Sequence, residues 1–308
     1  MLTLKQTNTN VSTDNYYAAV ESIESVESIE SVEPKLDLEL NFGVKSCTVE
    51  TSTGESAESV PSHILVAPVH YESGYSYPLL VWLHDSQNDE RQIVRIMPQI
   101  SLRNYVAVAP RGKTVITPIS TDTKFSPAED WDDFSITTLI QRTNRKKILY
   151  DWFFDNDGIT EAERNIFDSI IVAKNSCNIA QNRIFIVGEG NGGTMALRIA
   201  LLYPEYFAGV AALNAVMPET DKVFCHLSKA RILSVFIGVE NSNKNIDSNS
   251  LSRKLDLIYS AGFKLTVREY KSNTENNSKP SNNLSQSILQ ELNRWMMEIV
   301  CNDKKTEP

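Results

Sequence analysis

Histidine is scarce in this sequence. The 308 residues contain four, His63, His70, His84 and His226, and none follows residue 226. This excludes chemistry that needs an imidazole from the last quarter of the chain. Cysteine is equally scarce. Cys47, Cys177, Cys225 and Cys301 lie far apart and form no C-x-x-C pair. They read as reduced thiols of a cytoplasmic protein, neither a disulfide framework nor a metal site. Positive charge is short too. Lys and Arg number 30 against 39 Asp and Glu, for a net charge of −9, which excludes a general nucleic-acid binder. Long apolar runs are missing: the cleanest, Tyr77 to Leu83, is far short of the roughly 20 residues a membrane span needs. The N-terminal MLTLKQTNTN lacks the apolar core of a signal peptide. No residue pattern calls for a cofactor.

What is present suits a large folded domain. Hydrophobic residues make up 41% of the chain, enough for a sizeable core in a chain of this length. Residues 1–34 stand apart as a low-complexity acidic tail. Glu21 to Glu33 repeats Glu-Ser-aliphatic triplets, and residues 1–33 carry one Lys against six acids. A period of three matches neither helix nor strand, so the aliphatics form no stripe. Two readings remain, a disordered tail or a short docking helix. Residues 35–308 read as a single α/β domain.

Strand patterns fall at Val44–Val49, His63–Pro68, Leu79–Leu83, Tyr105–Ala109, Arg183–Val187, Gly209–Leu213, Ile232–Gly238 and Leu265–Tyr270. Helix patterns fall at Glu90–Leu102, Thr160–Ser176, Thr194–Leu202, Leu251–Ala261 and Leu284–Val300. Strands come first, then strand and helix alternate. That order predicts a mostly parallel sheet with helices on both faces, opened by antiparallel strands. Thr160 is the predicted cap of its helix, with Glu161 and Glu163 at the positive end of the dipole. The Asn- and Ser-rich stretches Asn241–Ser250 and Ser272–Asn283 read as loops leaving the carboxyl ends of strands, where such sheets bind ligands.

The most informative stretch is Gly188-Glu189-Gly190-Asn191-Gly192-Gly193, after a strand and before a small-residue helix. Gly188, Gly190 and Gly193 spell the dinucleotide fingerprint G-x-G-x-x-G. The ribose-binding acid that should end the next strand is missing, because that strand ends in Asn214. The hexamer also lies deep in the chain, whereas the fingerprint opens its domain. The other reading is a nucleophile elbow, G-x-S-x-G on a tight strand-to-helix turn. Gly188 and Gly192 then flank the turn, and Gly190 holds the nucleophile position.

The surrounding segments favour the elbow. Tyr77–Asp85, Asn104–Gly112, Arg183–Gly188, Leu202–Asn214, Lys264–Tyr270 and Leu292–Glu298 resemble, in order, the strands and helices of the α/β-hydrolase superfamily. The resemblance is to its phospholipase/carboxylesterase group, which includes the acyl-protein thioesterases, and covers roughly Tyr77 to Val300. It implies an α/β-hydrolase fold and ester or thioester hydrolysis by Ser, Asp and His in that chain order. Here the serine position is Gly190. The acid position is Asn241, with Glu240 one residue away. The histidine has no candidate, and the loop 272–283 stands in its place.

Other residues could supply or replace parts of that site. Glu189 reads as an exposed acid whose side chain leaves the turn in another direction. Ser86 lies in the oxyanion loop and lacks an obvious base. His84 belongs to a His-Gly position where the ring is structural. The anion hole depends only on backbone N–H groups, those of Asn191 and Ser86, so it can outlive the triad. Asp85 stands where Gly is usual, and with Glu189 it makes the mouth acidic and weakens anion binding. The binding residues are therefore Asp85, Ser86, Glu189, Gly190 and Asn191. Three functions stay open. One is a non-catalytic binding or interaction protein, whose partner is a small acyl or carbonyl ligand or another protein. The second is a residual or rewired ester hydrolase using Glu240, Glu189 or Ser86. The third is a nucleotide-binding protein using Gly188–Gly193.

Overall fold

In the computed structural model the apolar runs become strands β1 (Val44–Cys47), β2 (His63–Val66), β3 (Tyr77–Leu83), β4 (Val106–Pro110), β5 (Lys113–Pro118), β6 (Lys146–Asp151), β7 (Ile179–Glu189), β8 (Gly209–Leu213), β9 (Ser234–Glu240) and β10 (Lys264–Tyr270). The structure describes residues 44–47, 63–118, 146–218, 227–240, 248–271 and 284–303. All of these belong to the unit spanning residues 36–308. The Glu-Ser-aliphatic repeat, Asn241 and the loop 272–283 lie outside the described residues.

Eight strands form one sheet in the order β1-β2-β4-β3-β7-β8-β9-β10. β3 pairs in parallel with β4 and β7, and β7, β8, β9 and β10 continue in parallel. β2 runs antiparallel to β1 and β4, so antiparallel strands open the sheet. Central β3 is buried along its whole length, as a strand covered on both faces must be.

Helices α1 (Gln92–Ile100), α2 (Asn156–Ser176), α3 (Gly190–Leu202), α4 (Ser248–Ser260) and α5 (Gln286–Asp303) cover the sheet. Strand alternation divides the core into two halves. Ile184 and Ile186 of β7 pack with α2, α3 and α4, through Ile166, Met195, Leu197 and Ile258. Phe185 and Val187 pack with α1 and α5, through Ile93, Met97, Leu292 and Trp295. This doubly covered parallel sheet is the α/β-hydrolase architecture.

Four details differ from the sequence reading. β7 is longer than Arg183–Val187 and reaches Glu189, so the catalytic-type turn starts directly from the strand. α2 begins at Asn156, not near Thr160. Its cap is Asp155, whose carboxylate accepts from the Gly158 N–H at 2.7 Å. Thr160 lies inside the helix and its hydroxyl donates to the Asn156 carbonyl. Ser248 to Ser250, assigned to a loop, form the first residues of α4. A small antiparallel hairpin, β5 with β6, was not anticipated. It delivers Asp151 to the site.

Candidate functional site

The site forms where β3 and β7 end side by side, with Leu83 opposite Gly188. β7 passes straight into α3 at Gly190, which sits at φ +52°. A left-handed residue between strand and helix reverses the chain in one step, and glycine takes that conformation without the Cβ penalty. The turn is also tight. A Cβ on Gly188 would lie 2.6 Å from the Gly193 nitrogen, and one on Gly192 would lie 2.5 Å from the Leu83 carbonyl oxygen. The glycines therefore serve close packing of α3 onto β3 and β7.

The space beside Gly190 is filled by Asp85. A Cβ on Gly190 would fall on Asp85 Oδ1, with Cγ only 2.5 Å away and Oδ2 at 3.0 Å. The carboxylate thus occupies the space that a side chain at position 190 would take. Its Oδ1 also accepts the Ser86 N–H at 2.7 Å and the Asn191 N–H at 3.2 Å. These are the anion-hole donors named from sequence. The first turn of α3 adds its positive dipole end to that charge-assisted pair. Both N–H groups point at one oxygen, but they are not free, because the protein's own carboxylate sits on them.

A second carboxylate braces the same groups from outside. Asp151 Oδ1 accepts the Ser86 hydroxyl at 2.9 Å, the Asn191 side-chain amide at 3.0 Å and the Trp152 N–H at 2.7 Å. Ser86, read as lacking a partner base, therefore has Asp151 as its acceptor. Asp151 escaped the sequence reading, although an acid between Tyr150 and Trp152 at the end of an apolar run was a usable signal.

His84 is fully buried and both ring nitrogens are committed. Nε2 accepts the Gly112 N–H at 3.0 Å, and Nδ1 lies 2.8 Å from the Asp85 carbonyl. That pattern selects the neutral tautomer with the proton on Nδ1. Burial pushes the imidazole pKa down, against the pull of neighbouring acids. The Trp152 indole N–H donates to the His84 carbonyl at 2.8 Å. The ring holds the β3 loop against the segment after β4. Beside it, buried Glu90 is gripped by Arg111, whose Nε donates to Oε2 at 2.7 Å and whose Nη2 reaches Oε1. Burial works against the Glu90 charge, but the Arg111 guanidinium outweighs it and holds the carboxyl below its ordinary value.

Glu189 is 8% exposed, which overturns its reading as an exposed acid. Along β7 it follows Phe185 and Val187 onto the α1 and α5 face. There its Oε2 accepts the Gln92 amide at 2.6 Å, and Gln92 Oε1 accepts the Trp82 indole N–H at 2.9 Å. Burial, reinforced by the nearby Asp85 charge, raises its pKa to about 8. Glu189 is thus a neutral acid at pH 7, turned away from the anion hole. Glu240 ends β9 and is tied to Asn214, whose side chain accepts the Glu240 N–H at 2.8 Å and donates to its Oε2 at 3.3 Å. Asp85, Ser86, Gly190 and Asn191 are brought together, with Glu189 beneath them on the opposite face. The Asn191 N–H, the donor at the start of α3 that a phosphate would meet in the nucleotide reading, holds the Asp85 carboxylate.

Known proteins agree with this architecture. Residues 148–276 match the family model described as Phospholipase/Carboxylesterase. An acyl-protein thioesterase 1 of Cryptococcus neoformans is 29% identical over 113 residues, 36% of this chain and 47% of that protein. The chain thus spans about half the length of the curated relatives it matches. Among solved structures, Arabidopsis thaliana SOBER1 superposes with a TM-score of 0.51 at 18% identity, covering 73% of this chain and all of that one, 100%. A Bacillus cereus carboxylesterase superposes with a TM-score of 0.52 at 13% identity, covering 79% of this chain and 96% of that one. At those identities the structures speak to the fold.

Proposed function

We propose, from the premise that this chain is an α/β-hydrolase-fold protein resembling the phospholipase/carboxylesterase group, that it is a non-hydrolytic binding or interaction protein. The carrying observation is the Asp85 carboxylate seated on the anion-hole donors in the place beside Gly190. Acyl transfer on this fold needs an attacking hydroxyl, a base to take its proton and an open hole for the oxyanion. Gly190 offers no hydroxyl. The described histidine nearest the turn, His84, is buried neutral with both nitrogens used. The sequence holds no histidine past residue 226. Triad members act as a unit, and losing one costs on the order of a millionfold in the best-studied case. A small acyl or carbonyl ligand would reach the donors only after Asp85 turns away.

The test is direct. Purified protein is incubated with p-nitrophenyl acetate and butyrate and with a fluorophosphonate probe. No turnover above buffer and no labelling are expected. Turnover well above buffer that a substitution in the site abolishes would overturn the proposal.

One observation favours a second reading, a residual hydrolase built on Ser86. Its hydroxyl donates to Asp151, a carboxylate able to take a proton. Two features weigh against it. Asp151 Oδ1 already receives three donors, so Ser86 shares its acceptor with Asn191 and Trp152. The Ser86 N–H also belongs to the hole that would have to stabilise its own tetrahedral intermediate. Turnover lost in Ser86→Ala would favour this reading.

A further inference from the structure

We propose that Asp85 is an autoinhibitory ligand held in cis: the anion hole is a formed receptor for a small carboxylate, and Asp85 excludes external carboxylates while its side chain occupies the donors. This rests on the non-hydrolytic reading, since a site without a nucleophile holds an acyl group and does not consume it.

Three observations carry it. First, Asp85 binds as a ligand would. One carboxylate oxygen accepts two backbone N–H groups that come from separate elements, the β3 loop and the start of α3. Second, the donors are positioned by contacts that do not involve the Asp85 carboxylate. Asp151 holds the Ser86 hydroxyl and the Asn191 amide, and Trp152 and Gly112 hold the His84 carbonyl and ring. The hole therefore keeps its shape when Asp85 leaves. Third, Asp85, Ser86, Gly190 and Asn191 are each only half-buried. That partial exposure is the route by which the carboxylate would turn out and a small solute would reach the donors. An external carboxylate replaces it like for like. Asp151 and the displaced Asp85 itself oppose that anion, and the internal group needs no association entropy. Occupation in cis is therefore the resting state.

The probes are sodium acetate and sodium butyrate, with sodium chloride matching ionic strength. Binding is followed by calorimetry and by the backbone amide resonances of Ser86 and Asn191. Asp85→Gly is expected to bind butyrate roughly ten- to a hundredfold more tightly than the wild type, the equivalent of one charge-assisted hydrogen bond regained. Its two amides should shift on titration and the chloride control should not move them. In the wild type, where folding is not in question, the same amides should move only at roughly ten- to a hundredfold higher butyrate. A folded Asp85→Gly that binds butyrate no better than wild type overturns the proposal. So does a wild type whose Ser86 and Asn191 amides move over the same butyrate range as those of Asp85→Gly. Ester turnover is scored separately, so a hydrolysing wild type would refute the functional reading without imitating either result.

Discussion

Replacing Gly190 by Ala adds one methyl group, and its cost depends on a side chain 105 positions earlier in the chain. The backbone at residue 190 has φ +52°, where any residue with a Cβ pays about 1–2 kcal/mol. The new methyl would also land on the Asp85 carboxylate. That carboxylate must then swing out and release the Ser86 and Asn191 N–H groups. Hydrogen bonds to a charged group contribute about 1.5–3 kcal/mol each. Both donors are only half-buried, so water recovers part of that loss, and a further cost of about 2–3 kcal/mol is reasonable. Gly190→Ala should therefore destabilise the wild type by about 3–5 kcal/mol but an Asp85→Gly background by only about 1–2 kcal/mol. Urea unfolding of the four proteins, followed by circular dichroism, gives the coupling energy directly. A coupling of about 2–3 kcal/mol is expected. Additivity within about 0.5 kcal/mol would mean that Asp85 does not occupy the nucleophile's place.

Other perturbations test the surrounding parts. Glu189 ionises near pH 8 when folded and at its ordinary 4.5 when unfolded. In between, only the folded form keeps the proton, so its contribution is full below about pH 4.5 and is lost at up to ~1.4 kcal/mol per unit as pH rises toward 8. Glu189→Gln should flatten that slope in a series of melts, and an unchanged slope would put the proton elsewhere. Gly190→Ser alone should give no esterase activity on p-nitrophenyl butyrate, since the chain has no histidine past residue 226, where the resemblance puts the base; efficient turnover would place the missing base within the chain. Glu90→Ala leaves the Arg111 charge without its carboxylate. Breaking a buried pair costs about 3–5 kcal/mol, and because Arg111 keeps 27% of its side chain exposed the measured loss should fall at or below the lower end. Asp151→Ala should broaden or shift the Ser86 and Asn191 amide resonances while leaving the β9 and β10 amides unchanged.

Most of the sheet was legible because its strands are covered on both faces. Leu79 to Leu83, Ile184 to Val187 and Gly209 to Leu213 are continuous apolar runs bounded by turn residues, and each is a strand. The hairpin of β5 and β6 was not legible. Lys113–Pro118 mixes charge, Thr and Pro with two apolar residues, and Lys146–Asp151 confines its apolar run to three residues between charges, and their pairing depends on residues far apart in sequence. The cap of α2 was misplaced because Thr160 looks like a cap from composition. Asp155 does the same task one turn earlier, beside Gly158, which has no side chain to block the contact. Glu189 was misread for an avoidable reason. Counting by twos from Phe185 and Val187 puts it on a face that α1 and α5 bury. The presence of Asp85 at the mouth was legible, but its destination was not. Only the backbone geometry of Gly190 reveals that its empty side-chain position and a neighbouring carboxylate fit together.

That fit makes Gly190 and Asp85 one feature. With a serine at position 190, the Asp85 side chain in its present rotamer would overlap the Cβ, so the two could not share the turn. With glycine at both positions, the Ser86 and Asn191 N–H groups would face water or a ligand, as in a hole ready for an oxyanion. The observed pair takes neither form. Glycine at position 190 leaves the space of a side chain, and the Asp85 carboxylate fills it while accepting both N–H groups. A glycine at position 190 is then compatible with a well-packed turn, because the Asp85 carboxylate supplies a charge to the two N–H groups from within the chain. Asp151 explains why the donors remain in place. It binds the side chains of Ser86 and Asn191 and leaves their backbone N–H groups pointing at a single oxygen. A hole kept in shape by one acid and occupied by another differs physically from a collapsed site. It retains a defined ligand chemistry, and the removal of Asp85 alone should be enough to expose it.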